Sequence, residues 1–552
     1  ASMSQLELPS SVDVVVVGSG AAALSSALTS ALGGASVLVL EKSDKLGGTS
    51  AMSGAGVWIP ANHLAAEAGI DDSVEEAVEY LHATAPDGWA EDEAPLWRSF
   101  CENAPKTLRM LTDHTPLEFA LTHEPDPMAE YAGGKKRGRM MSPRALPRST
   151  AAPFSEQLRR STLPHLFTYH EVHDYGAYGH PIRAGIRLFP RLVHRVLTNT
   201  RGQGNALVAG LTRGCLDNGC DIRLGVEVKS LTTDDLGAVT GVEVTVADAT
   251  KSISARRGVV LATGGYEWDA QRRAKHFKGP LDRIGSPRTN TGDGHRMAEA
   301  IGASLARMDQ ANVYATLPTR YEGHVHGMPY TFHGAQHAIL VNRHGQRFVS
   351  EFDYNVGEVM DQRDAEGEPV HLPCWLITDR RFITNAPVFL WYARHLRGWL
   401  RMAFSLEALA GKIGLRGADL KRTVERFNEQ ARSGRDHDFH RGENAWEQQK
   451  SGATPENLGA ALGALEKAPY FAVPVNRSIL VTKGGPRTNE HGQVLREDGS
   501  VIGGLYCAGV AMANPIGTRN VGAGTTLGPC MTWGYICAQD LLKSNRGEQP
   551  KS

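Results

Sequence analysis

Cysteine is scarce in this 552-residue chain: Cys101, Cys215, Cys220, Cys374, Cys507, Cys530 and Cys537 form no C-x-x-C pair and no zinc spacing. That scarcity excludes a disulfide-stapled framework and a structural zinc module. Reduced, mostly buried thiols in a cytoplasmic protein are expected, with no metal site. Long apolar runs are missing too. None approaches the ~18 residues needed to cross a bilayer, and no basic-then-apolar leader opens the chain, so neither a transmembrane segment nor a secretory leader is expected. Ala1 and Ser2 before Met3 read as a cloning remnant. An excess of either charge is also absent: 59 Lys and Arg face 60 Asp and Glu, so nothing in the overall field draws nucleic acid or an acidic partner. Walker loops, HExxH, Gly-x-Ser-x-Gly in a suitable context and solenoid-range repeats are not found.

What is present is concentrated first in residues 11–60. Val14–Val17 is a β-branched run that reads as a strand buried on both faces. Gly18, Gly20 and Ala23 follow in the Gly-x-Gly-x-x-Ala pattern. Gly18 allows the tight turn, Gly20 lets backbone approach a pyrophosphate, and Ala23 lets a helix pack close to the strand. The helix N-terminus offers unpaired N–H groups to phosphate. Glu41 closes a second strand where an acid can accept hydrogen bonds from a ribose. The pattern alone is weak; with two strands, a helix and Glu41 around it, it predicts a dinucleotide site. Residues 47–54 are small and hydroxylated, able to run close against a flat ligand.

Along the rest of the chain, residues 73–112 carry helical periodicity and are expected to pack outside the sheet. Residues 123–180 lose periodicity. Within them the basic run 133–148 reads as a solvated face, with anion contact or peripheral membrane association as the lesser alternative. Helix returns from 182 to 216. Strands are predicted at 221–224, 226–231 and 241–246, then a buried strand running from Arg257 into Gly264 and Gly265. The turn Thr291-Gly292-Asp293-Gly294 precedes a helix. Residues 309–470 are richer in aromatics and include a helix over 406–431, which suggests a separate cap domain. Strands and tight turns resume, and a glycine loop and helix over 514–540 close the chain.

These residues resemble a family. EKSDKLGGTSAMSGAGVWIP, FNEQARSGRDHDFHRGEN, TKGGPRTNEHGQVLREDGSVIGGLYCAG and VGAGTTLGP occur in family order. The chain is similar to the fumarate reductase/succinate dehydrogenase flavoprotein superfamily and, within it, to the 3-ketosteroid Δ1-dehydrogenases. Residues 145–200 match nothing comparable and read as an insertion. The resemblance implies an α/β fold: a Rossmann-like FAD-binding domain built from residues 1–308 and 471–552, with an inserted α+β catalytic cap at 309–470. It implies FAD, held by Gly18, Gly20, Ala21, Ala22, Glu41, Lys42, Gly48, Thr49, Ser50, Ser53, Gly54, Val228, Gly264, Gly265, Asp293, Gly509, Thr525 and Leu527.

The activity implied is desaturation of a cyclic ketone. A base removes the α-proton, donors hold the carbonyl oxygen, a β-hydride passes to the flavin, and an external acceptor such as a quinone takes the electrons. A tyrosine hydroxyl is a poor base at its reference pKa near 10, so it needs a neighbour or a positive field. The family pairs tyrosines for this. Tyr354, expected after a strand at 347–349, falls at the base position, and Tyr131 falls near its partner. The family's carbonyl loop places a tyrosine four residues before a glycine. Here the glycine is Gly524 but Asn520 stands in the tyrosine's place, after Arg519. Asn can still donate, so an oxyanion site with the Gly524 N–H remains feasible, and the exchange suits a smaller ring, such as a cyclohexanone-type ketone, as well as a 3-ketosteroid. Tyr169, Tyr175 and Tyr178 of the insertion are candidates for the pocket wall or the base. Two other readings stay open: a fumarate-reductase-like enzyme using Arg519 and His333, and an FAD-binding module without catalysis.

Overall fold

The computed structural model describes residues 7–177 and 180–543. Its organising element is an eight-stranded sheet whose main path runs Gln493–Leu495, Val501–Cys507, Ala249–Leu261, Ser11–Val17, Val37–Glu41, Asp221–Leu224. All neighbours along this path are parallel except the first pair. Val17 lies opposite both Leu40 and Leu261, and Leu261 opposite Cys507, so four strands end along one edge. In a doubly wound sheet that edge is where a dinucleotide binds. The central strands read as continuous apolar runs because both faces are covered: Val14, Val15 and Val16 are fully buried.

Small residues bring the two ends of the chain together. The helix Ala21–Leu32 packs on the last described helix, Leu527–Lys543, where a Cβ on Gly534 would lie 2.3 Å from the Ala22 carbonyl oxygen. Ser25 donates to the Met531 carbonyl at 2.7 Å. The fold is therefore a doubly wound domain built from N- and C-terminal segments, with a second body inserted between them. Within the insert a four-stranded antiparallel sheet runs Ala338–Val341, Trp375–Thr378, Tyr470–Pro474, Arg401–Ala403. The strand Arg477–Thr482 leads back, pairing with Leu281–Ile284 and Ala311–Tyr314.

Residues 73–112 form helices Val74–Thr84 and Ala90–His114, outside the sheet as expected, with Trp97, Phe100 and Leu108 in the main core. Other expectations need correction. The helix expected over 406–431 is two, Leu406–Lys412 and Gly417–Ser433, because Gly414 turns the chain at φ +74°. Residues 347–349 are not a strand; the Arg347 guanidinium bonds Glu351 and Asp436 and fixes an irregular segment instead. The basic run 133–148 is largely structural: Arg139 is buried between Asp72 and Asp126, Lys135 pairs with Glu76, and Arg148 is buried on Asn205. All seven cysteines are free and buried, and no described helix is long and apolar enough to cross a membrane.

Candidate active site

The dinucleotide end is built mainly from backbone. Gly18 has φ +114°, and a Cβ there would sit 2.1 Å from the Ala262 carbonyl oxygen, so the turn admits only glycine. Ser19 ties the first strand's turn to the second strand, donating to Glu41 Oε2 at 2.6 Å and accepting from the Gly47 N–H at 2.9 Å. Ser50 accepts from the Ala21 N–H at 2.9 Å. Val228 lies in the strand Glu227–Thr233, close to Glu41, whose carbonyl accepts from the Val226 N–H at 3.0 Å. Lys42 bridges to Asp293 at 2.8 Å and Thr291 at 2.9 Å, and Asn290 donates to Thr49 at 2.8 Å. Gly264 carries φ +79° beside Asn290, and a Cβ on Gly509 would meet that of Ala22 at 2.8 Å.

The donor set fits FAD. Burial raises the Glu41 carboxyl, which accepts only the Ser19 hydroxyl and the Ser43 N–H, with no cation paired to it among the described residues. Such a carboxylate has lone pairs to spare for ribose hydroxyls. Gly48, at φ +51°, has nothing within 4 Å of where a Cβ would stand, leaving open space over the small-residue segment.

The second part of the site is made of side chains from distant segments. Tyr169 and Tyr354 pack with Met140, Trp446 and Ala523 in one cluster. The Tyr354 ring meets Trp446 edge-on at 4.6 Å, and Tyr169 lies against Gly54 and Gly56, where a Cβ would come within 3.2 and 3.4 Å of its ring. Glu124, almost wholly buried, joins them: its Oε2 accepts from Tyr169 at 3.1 Å and from Lys450 at 2.6 Å, while its Oε1 has no partner. Burial pushes the Glu124 carboxyl up, but the Lys450 ammonium, with the Tyr169 hydroxyl, holds it below the ordinary carboxylate range. Burial pushes His173 down to about 4.

Burial also raises the hydroxyls of Tyr354, Tyr169 and Tyr314 well above 10, with Glu124 acting on all three. Yet each of these residues keeps some accessible surface. Of the neighbour or positive field that a tyrosine base needs, the described residues around Tyr354 offer a neighbour, the buried Glu124 carboxylate with its free oxygen.

The carbonyl loop is held rigidly beside this cluster. Asn355, next to Tyr354, accepts from the Asn520 N–H at 2.8 Å and donates to the Asn520 carbonyl at 3.0 Å. Lys483 and Thr525 both donate to Asn520 Oδ1, at 2.9 and 3.2 Å, so the amide Nδ2 turns the other way, towards Asn312 Oδ1 at a long 3.5 Å. Lys483 is fully buried, its ammonium donates among the described residues to Asn520 and the Gly517 carbonyl, and burial pushes it down to about 8. Gly524 has φ +87°, and a Cβ would fall 2.4 Å from the Gly56 carbonyl oxygen. Its N–H donates to no group among the described residues.

The structure does not gather every residue that sequence reasoning nominated. Tyr131 is 53% exposed on a turn, outside the tyrosine cluster. Tyr175 packs with Val172 and Ala184 in a separate small cluster, and Tyr178 lies outside the described residues. Sequence reasoning misses Glu124, Tyr314, Lys450 and Lys483. A buried carboxylate inside an aperiodic stretch leaves no periodic signal, and Lys483 sits in the TKGG segment with nothing local to mark it. Arg519 is committed to Glu358 through three contacts at 2.8–3.0 Å and to the Thr84 carbonyl, while His333 is buried beside Phe332 in the core of the insert. Neither is placed to clamp a dicarboxylate.

Comparisons with known proteins agree with this architecture. A family model described as "FAD binding domain" (FAD_binding_2) matches residues 13–527. The chain is 34% identical to 4-oxocyclohexanecarboxylate 2-dehydrogenase of Sinomonas cyclohexanicum, covering 98% of this chain and 94% of that protein. It is also 34% identical to 3-oxosteroid 1-dehydrogenase of Mycolicibacterium smegmatis, covering 96% and 97%. The crystal structure of 3-ketosteroid Δ1-dehydrogenase from Sterolibacterium denitrificans with 1,4-androstadiene-3,17-dione superposes with a TM-score of 0.87 at 32% identity, covering 97% and 99%. On the family match and on relatives one-third identical over nearly their full length, this chain belongs to the FAD_binding_2 family, among its FAD-dependent ketone dehydrogenases.

Proposed function

We propose that this protein oxidises the Cα–Cβ bond of a cyclic ketone to the enone, with a cyclohexanone-type ring or a 3-ketosteroid as substrate. The observation that carries the reading is the meeting of the Tyr169–Tyr354–Glu124 cluster with the Asn520–Gly524 loop. The cluster can take a proton; the loop offers N–H donors. Asn520 Nδ2 and the Gly524 N–H hold the carbonyl oxygen as enolate charge develops. Tyr354 takes the α-proton and gives up its own towards Glu124, so no phenolate has to persist in a negative field. Tyr169 and Lys450 keep the Glu124 carboxylate in place to receive it. Bound FAD supplies the acceptor for the β-hydride, and an external electron acceptor, a quinone or another, must restore it.

Anaerobic mixing of the FAD-loaded enzyme with a panel of cyclohexanones and 3-ketosteroids tests this. Saturated ketones are expected to bleach the flavin and NADH is not. Failure of every ketone to reduce it, or rapid reoxidation of the reduced enzyme by fumarate, would overturn the reading.

A further inference from the structure

The helices Pro181–Arg187 and Phe189–Leu197 turn a broad apolar stripe outwards. Ile182 and Leu197 are 80% exposed, Ile186 72%, Phe189 63% and Val196 58%, with Val193 between them. In the second helix the apolar residues recur at 189, 192, 193, 196 and 197, one face of an amphipathic helix. Together the two helices line an open groove of about 430 Å³ with apolar side chains and one glycine. An apolar patch of this kind on a folded protein marks an interaction surface.

The helices are firmly attached on their other side. Ala184 and Leu188 are buried, and Arg195 donates to both Glu171 oxygens, at 2.6 and 3.0 Å, and to the Leu166 carbonyl at 2.8 Å. Glu171 sits on the helix Tyr169–Tyr175, so the stripe is braced against the element that carries Tyr169. What faces outwards is thus a built surface rather than an unfinished core.

Charge selects the occupant. From residue 175 to residue 216 the sequence holds no Asp or Glu, while Arg183 and Arg187 are exposed beside the stripe and Arg191 is mostly exposed. A second copy docking through the same face would bring Arg183 and Arg187 together without an acid to pair them, Glu171 being already shared by Arg195 and Arg191. A basic amphipathic surface is matched instead by the boundary between acyl chains and anionic headgroups. We propose that residues 181–197 dock the protein onto an anionic phospholipid surface, the apolar stripe entering the headgroup–acyl boundary and the arginines lying among the phosphates. An apolar ketone dissolved in that bilayer would then be supplied from the side of the molecule bearing the Tyr169 helix.

The test is co-sedimentation of the full-length, FAD-loaded protein with phosphatidylcholine vesicles containing or lacking phosphatidylglycerol. The wild type is expected to sediment with the anionic vesicles, and less as salt rises. Ile186→Ser with Val193→Ser should weaken partitioning about a hundredfold. Arg183→Gln with Arg187→Gln should weaken it about thirtyfold, from roughly 1 kcal/mol per cation near the surface. All these side chains are solvent-facing, and unchanged flavin absorbance and melting would show each variant folded. Wild type that stays in the supernatant, variants that sediment like wild type, or equal binding to neutral vesicles would overturn the proposal. So would a wild-type dimer that the Ile186/Val193 variant dissociates, since the face would then belong to a second copy.

Discussion

The two halves of the ligand groove are made by different means. The half proposed for the dinucleotide is a continuous run, residues 11–54, shaped mainly by backbone: a Cβ on Gly18 would strike Ala262, and nothing lies within 4 Å of where one on Gly48 would stand. The half proposed to be catalytic is gathered from positions 124, 169, 314, 354, 450, 483 and 520, and the contacts that join them run almost entirely through side-chain atoms. Backbone sites depend on shape, so their substitution should cost cofactor binding. Side-chain sites depend on particular donors and acceptors, so their substitution should cost chemistry while the cofactor stays bound.

The largest effect expected is at the proton path. Tyr354→Phe and Glu124→Gln should each slow flavin reduction by ketone about 10²- to 10⁴-fold, the range for a lost general base, with FAD still bound. The pair should be strongly non-additive, because both serve one transfer. Single-turnover absorbance reads both outcomes. Full activity in Glu124→Gln would place the proton sink elsewhere, and loss of FAD in either variant would erase the division between the halves.

The same division explains what can be read from sequence. The glycines at 18 and 20 and the acid at 41 announce themselves because the backbone constraint is local: a strand, a turn, a helix and a second strand follow one another between Ser11 and Glu41. Tyr354 is found only through the family resemblance, since an aromatic after an irregular segment carries no periodic signal. Glu124 escapes for a further reason: a buried carboxylate costs several kcal/mol without partners, and those partners, Lys450 and Tyr169, lie 326 and 45 residues away. The helix break at Gly414 shows the reverse error, where periodicity suggests one long helix and a single left-handed glycine divides it.

A smaller effect is expected one step back from the carbonyl. Asn520→Ala should slow enolisation about 10²- to 10³-fold, as for one lost oxyanion donor. Lys483→Met should cost about tenfold, since Thr525 still holds Oδ1 while the charged donor is gone. Lys483 also sets a pH dependence. Its folded pKa of about 8 lies below the ordinary value of 10.5, so the native state releases this proton first. Global stability should therefore rise with pH between about 8 and 10.5, because the unfolded chain binds the extra proton. Turnover should fall as pH rises through about 8, where the folded Lys483 gives up its proton and the ammonium hold on Asn520 weakens. The Lys483→Met variant should lose both trends; an unaltered alkaline limb would show that another group titrates there.

The smallest effect tests the backbone half by its one carboxylate at the end of the second strand. Glu41→Gln keeps the shape and one acceptor oxygen but removes the charge that takes the Ser19 hydroxyl at 2.6 Å. Because burial already raises this carboxyl, the neutral amide also escapes part of the desolvation cost, and the two changes oppose each other. The net result should be FAD binding weakened only about three- to tenfold, with an unchanged rate of flavin reduction at saturating FAD. Fluorescence titration of the apoprotein measures the first and stopped-flow the second. A rate that falls with the affinity would mean that the ribose end positions the reacting end, and the groove would then work as one device rather than two.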